Sequence, residues 1–247
     1  GQSNKGSCMR RYFYILLALV ALGACSSNKT ELSTEARLQQ ADQYYANGKY
    51  AKAAVIYDDI SFERKSAATA YATLRLADSY FAMNKFIDAR LKYQQFIDGF
   101  PDHTNVSDAY YRVAVCFFEE SLKPAYDQDK TLSAIDAFRN FIERFPSDSR
   151  FQSALEFIRR SQYKLIEKKY QNGYIYYKMK DYSAALMYFD EVVALGNTDS
   201  LDRRSLYYSA LLHLHQENMD AARASYEKLV SKYPGSKEAG KLERKFK

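Results

Sequence analysis

Gly48-Lys49-Tyr50-Ala51-Lys52-Ala53, followed by Tyr57, and Asn84-Lys85-Phe86-Ile87-Asp88-Ala89, followed by Tyr93, Phe96 and Pro101, are two copies of one phrase. Its spacing returns as Ala134, Phe138, Phe141 and Pro146, then as Tyr182, Ala185, Phe189 and Val192, and finally as Met219, Ala222, Tyr226, Leu229 and Pro234. A small residue, an aromatic four later and an apolar residue three beyond that mark one face of a helix. The proline closes it, because it has no backbone N–H to donate and its ring blocks the next turn. A second phrase precedes each copy: Ala41 and Tyr44, Ala77 and Tyr80, Ala114 and Phe117, Gly173 and Tyr176, Ala210 and His213. In these the small residue admits a neighbouring helix closely and the aromatic three later fills the space beside it.

Five helix pairs in register resemble the tetratricopeptide repeat, whose period is about 34 residues. An ordinary helical bundle shares the apolar period but has no reason to repeat the phrase. The resemblance implies an all-α protein, a right-handed α-solenoid of about five tetratricopeptide-like hairpins. The solenoid is expected over 35–247, with repeats at about 34–67, 70–103, 107–148, 150–199 and 203–236 and a C-terminal helix beyond. The repeat spacing is uneven: 36 residues separate Ala53 from Ala89, 45 separate Ala89 from Ala134, 51 separate Ala134 from Ala185, and 37 separate Ala185 from Ala222. The third repeat carries its surplus between Glu120 and Lys130, where Pro124 and the acids predict a loop. The fourth gains length from Ser153 to Lys178, a stretch without proline that can run as one long helix or as two joined without a tight turn.

Met9-Arg10-Arg11 is a basic start, Tyr12 to Leu22 is an apolar run too short to span a bilayer comfortably, and the run ends in Leu22-Gly23-Ala24-Cys25. This resembles a bacterial lipobox, which implies a leader and signal peptide over 1–24, removed before Cys25, and a lipid-modified Cys25 thiol. Residues 25–34 then read as the acylated cysteine and a polar linker that tethers the first repeat near a membrane. By resemblance to lipoprotein sorting rules, Ser26 after the cysteine favours the outer membrane.

Composition fits such an exported helical chain. The chain has 36 basic and 30 acidic residues; losing Lys5, Arg10 and Arg11 leaves 33 basic ones and a net charge of +3. That balance, with no basic stripe, argues against nucleic acid as a partner. Cys8 and Cys25 fall in or beside the leader, so Cys116, between Val115 and Phe117, reads as a lone core thiol. No catalytic set, metal site or cofactor motif emerges. His213 and His215 stand about 200° apart around a helix axis, so they do not chelate one metal together. No phosphate loop, paired-cysteine zinc pattern or nucleophile elbow occurs. The expectation is a non-enzymatic binding protein.

In tetratricopeptide solenoids the first helix of each pair lines the concave side. In this register that side holds Leu38, Asp42 and Tyr45, then Tyr71, Leu74, Asp78 and Phe81, a candidate client-peptide groove. Later repeats add Tyr111, Phe118, Tyr170, Tyr174, Tyr177, Tyr207 and Leu211. Aromatics with scattered charge suit an extended peptide.

Beyond the generic repeat, Tyr126-Asp127-Gln128-Asp129-Lys130-Thr131, Ala134 to Phe138 and Phe141 to Ser147 are similar to the third-repeat insertion and second helix of the BamD family. Gln171 to Leu186, with Tyr176-Tyr177 and Tyr182-Ser183-Ala184-Ala185, is similar to its fourth repeat. The family comprises lipoproteins of the outer-membrane β-barrel assembly machine. This chain departs from it before Leu201-Asp202-Arg203-Arg204-Ser205, where Gly196-Asn197-Thr198 replaces a proline-bearing turn. The resemblance implies that amino-terminal repeats receive unfolded outer-membrane proteins and that carboxy-terminal repeats dock on a POTRA domain of a BamA-like barrel subunit, alongside other assembly-machine lipoproteins. It places Arg203, with Arg204 and Tyr207, at that docking site. A repeat lipoprotein serving cell-wall synthesis or division is the alternative.

Overall fold

The computed structural model describes residues 32–246, and the expected leader and most of the linker, Cys25 included, lie outside them. Eleven helices and no strand are present among the described residues. They form five antiparallel pairs: α1 (Thr34–Ala46) with α2 (Tyr50–Ser61), α3 (Ala67–Ala82) with α4 (Phe86–Gly99), α5 (Val106–Glu120) with α6 (Asp129–Arg144), α7 (Phe151–Lys178) with α8 (Tyr182–Ala194), and α9 (Ser200–His215) with α10 (Met219–Lys232). Helix α11 (Lys237–Phe246) follows. Each element packs on the next along the chain, which is the contact pattern of a helical-repeat solenoid.

One device closes four of the five pairs. A backbone N–H returns to the carbonyl five residues back: Lys49 to Tyr44, Lys85 to Tyr80, Asp181 to Tyr176 and Asn218 to His213. This is the 6→1 bond of a Schellman ending, and it requires a left-handed residue just before the donor. That residue is Gly48 at φ 71°, Asn84 at 57°, Lys180 at 64° and Glu217 at 59°. Glycine and asparagine accept this backbone readily; Lys180 and Glu217 do so at a cost that packing must offset. The third pair lacks the device because its helices are joined by the insertion loop, which the sequence places correctly. Buried Gln128 organises that loop, its Nε2 donating to the carbonyls of Lys123 (2.8 Å) and Tyr126 (3.0 Å) while its Oε1 accepts from Thr131 (2.7 Å).

Between pairs, Phe100, Phe145 and Tyr233 end α4, α6 and α10 by leaving the helical backbone region ahead of Pro101, Pro146 and Pro234. Capping starts several helices: Ser66 and Thr69 form a reciprocal box at α3, and Asp199 accepts from Leu201 and Asp202 at α9.

The repeated small residues and rings form the core. Ala53, Tyr57, Ala89, Tyr93, Ala134, Phe138, Ala185 and Phe189 have no exposed surface. The fifth copy is different: Phe246 of α11 stacks on Tyr226, centroids 4.5 Å apart. The C-terminal helix therefore covers the last pair as another repeat would.

The long stretch in repeat four is one helix. At 28 residues, α7 is about 42 Å long at 1.5 Å per residue. Its first half joins the third pair's core through Ala154 and Ile158, and its second half joins the fourth through Tyr170, Tyr176 and Tyr177. A clasp fixes its start, where Arg150 binds both Asp148 oxygens (2.8 and 2.7 Å), Asp108 and Ser107. At Gly173 a Cβ would lie 3.0 Å from the Phe189 ring and 3.1 Å from Tyr188 Cβ, so only glycine lets α8 approach this closely.

Candidate binding groove and docking face

The first-helix face of repeats one and two carries a continuous polar and aromatic strip. Asp42 on α1 accepts from Tyr57 of α2 and from Tyr71 of α3, the latter at 2.9 Å, so one carboxylate ties three helices. Beside it the Arg75 guanidinium lies 3.8 Å from the centre of the Tyr45 ring and pairs with Asp78 at 3.1 Å. Asp78 also accepts from the Tyr93 hydroxyl at 2.6 Å. Phe81 packs edge-on against Phe86 and carries Arg112 on its other side, 5.1 Å from the ring centre.

These contacts shift protonation. Burial, reinforced by Asp42, pushes the Tyr57 hydroxyl pKa up. Burial, with Asp78 beside it, does the same to Tyr93. Burial works against the Arg75 charge, but the oxygen of Tyr57 and the carboxylate of Asp78 outweigh it and raise its pKa. The Arg75 guanidinium therefore stays charged and the Tyr57 and Tyr93 hydroxyls stay donors at neutral pH.

Of the expected groove residues, Asp42, Tyr45, Tyr71, Asp78 and Phe81 share this strip. Leu38 sits half-buried at its edge against the first repeat's core. Leu74 needs correction: at 6 % exposure it belongs to the core between repeats two and three, with Tyr93 and Val113. Around α3 it falls on the same face as Asp78 and Phe81, but the packed α5 covers it. Arg75 and Arg112 were not singled out in the sequence, yet they are the strip's cations. The signal was there: each stands two residues before the small residue of its helix, Ala77 and Ala114.

At the other end, Arg203 does not stand free. It pairs with Glu238 of α11 at 3.0 Å and lies over Tyr233. Burial opposes the Glu238 charge, but its own backbone N–H and Arg203 together hold its carboxyl below the usual range. Arg203 thus fastens the C-terminal helix to α9. Arg204 is exposed, stacks on Tyr170 at 5.9 Å and forms no ion pair among the described residues. Tyr207 meets Tyr208 edge-on and carries Lys241. Nearby, buried Asp202 accepts from Lys232 and Tyr233. Among the described residues no group of three or more His, Cys, Asp and Glu side chains is arranged to hold a metal ion.

Residues 30–198 match the YfiO family, described as an outer membrane lipoprotein. The chain belongs to this family. Residues 170–237 separately match a tetratricopeptide repeat family, so the protein is a repeat scaffold of the outer-membrane lipoprotein type. No curated protein matches the chain. Among solved structures it is similar to the MamA protein (16% identity, 87% of this chain and 95% of that one, TM-score 0.35). A thermophilic TPR protein of Thermus thermophilus is similar at 16% identity, over 86% of this chain and 98% of that one, with a TM-score of 0.35. YrrB, described as a TPR protein with an unusual peptide-binding site, is 15% identical over 90% of this chain and 97% of that one, TM-score 0.34. No helix among the described residues is long and apolar enough to cross a membrane.

Proposed function

We propose that the protein is a non-enzymatic scaffold of the outer-membrane β-barrel assembly machine, anchored through a lipid on Cys25 and facing the periplasm. The family match over 30–198 is the observation that carries this reading. In it, the strip of Tyr45, Tyr71, Arg75, Asp78 and Phe81 receives extended segments of unfolded barrel proteins: rings supply apolar contact, and Arg75 and the carboxylates meet backbone carbonyls and N–H groups. The α9 face docks on a POTRA domain of a BamA-like subunit. Arg204, with no ion pair among the described residues, takes the role of the exposed cation there, while Arg203 holds α11 in place.

Solubilising membranes from cells expressing the full chain with an affinity tag, and identifying what co-purifies, tests the proposal. A BamA-like barrel subunit is the expected companion. Recovery of peptidoglycan enzymes without any barrel subunit would overturn this reading in favour of a scaffold for cell-wall synthesis or division.

A further inference from the structure

In each first helix the residue two beyond the repeated small one stands about 200° further round the axis, on the side away from its own partner helix. The residue three before it shares that side. On α3 these are Leu76 and Ser79, on α5 Val113 and Cys116, and on α9 Ser209 and Leu212, all buried. The second helix of the preceding pair covers them. Leu76 shares a core with Tyr57 of α2, Val113 and Cys116 with Tyr93 of α4, and Leu212 with Phe189 of α8.

Helix α7 breaks the pattern. Its corresponding residues are Asn172 and Ile175. The preceding second helix, α6, reaches only the first half of α7, at Ala154 and Ile158, while α8 takes the opposite side at Gly173. Ile175 is therefore 53% exposed, and Met179, one turn on, 67%. At α1, which has no helix packed ahead of it among the described residues, the same positions are Gln40 and Gln43, both exposed and both polar. On α7 the open flank is apolar instead. It runs from Lys168 to Met179, about 16 Å or three turns. Lys168 donates to the Tyr126 carbonyl at 2.7 Å, so the insertion loop closes one end of it.

The charge around the flank is one-sided. From 161 to 180 the chain carries five lysines and one carboxylate, Glu167. Glu167 accepts from Gln171 at 3.5 Å, Glu191 of α8 pairs with Lys169, and Asp181 caps α8. Lys168 and Lys178, before and after Ile175 on the open side, have no carboxylate within ion-pair distance among the described residues.

We propose that this flank docks an amphipathic helix of a partner protein, seated as the second helix of a preceding pair would be. Its apolar stripe lies on Ile175 and Met179, and its acidic side chains face Lys168 and Lys178. The stripe takes exposed apolar surface out of water, and the acids supply the counter-charge that this half of α7 lacks. A helix is the shape that fills the corresponding seat on α3, α5 and α9, and the flank has the length of a short one. The site uses neither the strip of repeats one and two nor the α9 face, so it stands apart from the function proposed above.

The test uses the full chain and a fluorescein-labelled, lactam-stapled helix of about four turns, with Leu and Ala along one stripe and Glu beside it. One counterpart has Lys in place of Glu, and another scatters the Leu residues around the helix. Anisotropy reads binding. The wild type is expected to bind the Glu-flanked helix on the order of tenfold tighter than either counterpart, with the margin over the Lys-flanked one shrinking at high salt. Ile175→Gln with Met179→Gln, which copies Gln43 of α1 and Gln216 of α9, should abolish binding. Its melting should be unchanged, because both side chains are exposed. Lys178→Glu, which leaves the Lys168 bond to the loop intact, should erase the preference for Glu over Lys. The proposal is overturned by no binding of the Glu-flanked helix, by equal binding of the scattered or the Lys-flanked one, or by an affinity unchanged in the Ile175 and Met179 variant. It is equally overturned if sedimentation shows a wild-type dimer that this variant turns into a monomer, since a second copy of the chain would then be the occupant.

Discussion

The Tyr93 hydroxyl donates a 2.6 Å hydrogen bond to Asp78, fifteen residues earlier on the partner helix of its hairpin. Tyr57 and Asp42 make the same bond one repeat before, again fifteen residues apart. In the third repeat the corresponding positions are Val115 and Phe138, both without a polar group. Donor and acceptor are therefore both present or both absent in the first three repeats, as expected where an unmatched polar group would be buried.

This pairing predicts an order of stabilities. Asp78→Val strands the buried Tyr93 hydroxyl and removes the Arg75 partner, and should cost about 2–3 kcal/mol. Adding Tyr93→Phe, which copies the third repeat, should recover part of that loss. Urea unfolding monitored by circular dichroism measures both; a double variant less stable than Asp78→Val alone would contradict the account.

Replacing Tyr45, Tyr71 and Phe81 together by Ala should weaken binding of a peptide ending in an aromatic residue, at about 2 kcal/mol for each anchor that matters. Helicity should be little changed. Leu74→Ala behaves differently: it empties a core position, should cost about 2–5 kcal/mol of stability, and affects binding only through folding. Anisotropy titration beside thermal melts separates the two, and full peptide affinity in the folded triple variant would remove the strip as the client groove.

Arg203 and Arg204 should divide their effects. Arg203→Glu faces Glu238 with a like charge and should lower the melting temperature by loosening α11. Arg204→Glu should leave melting nearly unchanged but reduce capture of the BamA-like subunit, by under about 1 kcal/mol at a rim and about 2–5 kcal/mol at a desolvated contact. Pull-down at low salt is the measurement. Undiminished capture by Arg204→Glu would move the docking face elsewhere.

Cys25→Ser should release the protein from the membrane fraction or leave its leader uncut, because a single lipidated cysteine is the anchor proposed. Fractionation in cells lacking the barrel partner checks this, and retention of the variant with the outer membrane would refute the anchor.

Asp148 predicts an acid limb. Arg150, through its side-chain hydrogen bonds, holds the Asp148 carboxyl well below the usual carboxylate range despite partial burial. The folded state thus binds that proton more weakly than the unfolded chain does. Its contribution is complete above the ordinary aspartate value near ~4 and is lost as pH falls from there toward the depressed folded value. Melting curves of wild type and Asp148→Asn should differ by a constant amount above about pH 5 and converge below about pH 4; a gap that widens in acid would reverse the assignment.

The sequence by itself determined the repeat. Ala53, Ala89, Ala134, Ala185 and Ala222 with their following rings state which faces must be buried, since apolar periodicity is written locally and each hairpin needs only its neighbour. Pro124 marked the insertion, and the stretch from Ser153 to Lys178 left one helix or two open. Tertiary structure decided what periodicity cannot encode. Lys180 and Glu217 adopt a left-handed backbone their side chains do not favour, because the closing bond and the packing of the pair outweigh the local preference. Leu74 became core and Tyr71 stayed half outside although both lie on one side of α3, because α5 packs over Leu74. Arg203 found Glu238, 35 residues onward, and α6 covered only the first half of α7, leaving Ile175 open. Both outcomes depend on distances between helices that are brought together only when the solenoid closes.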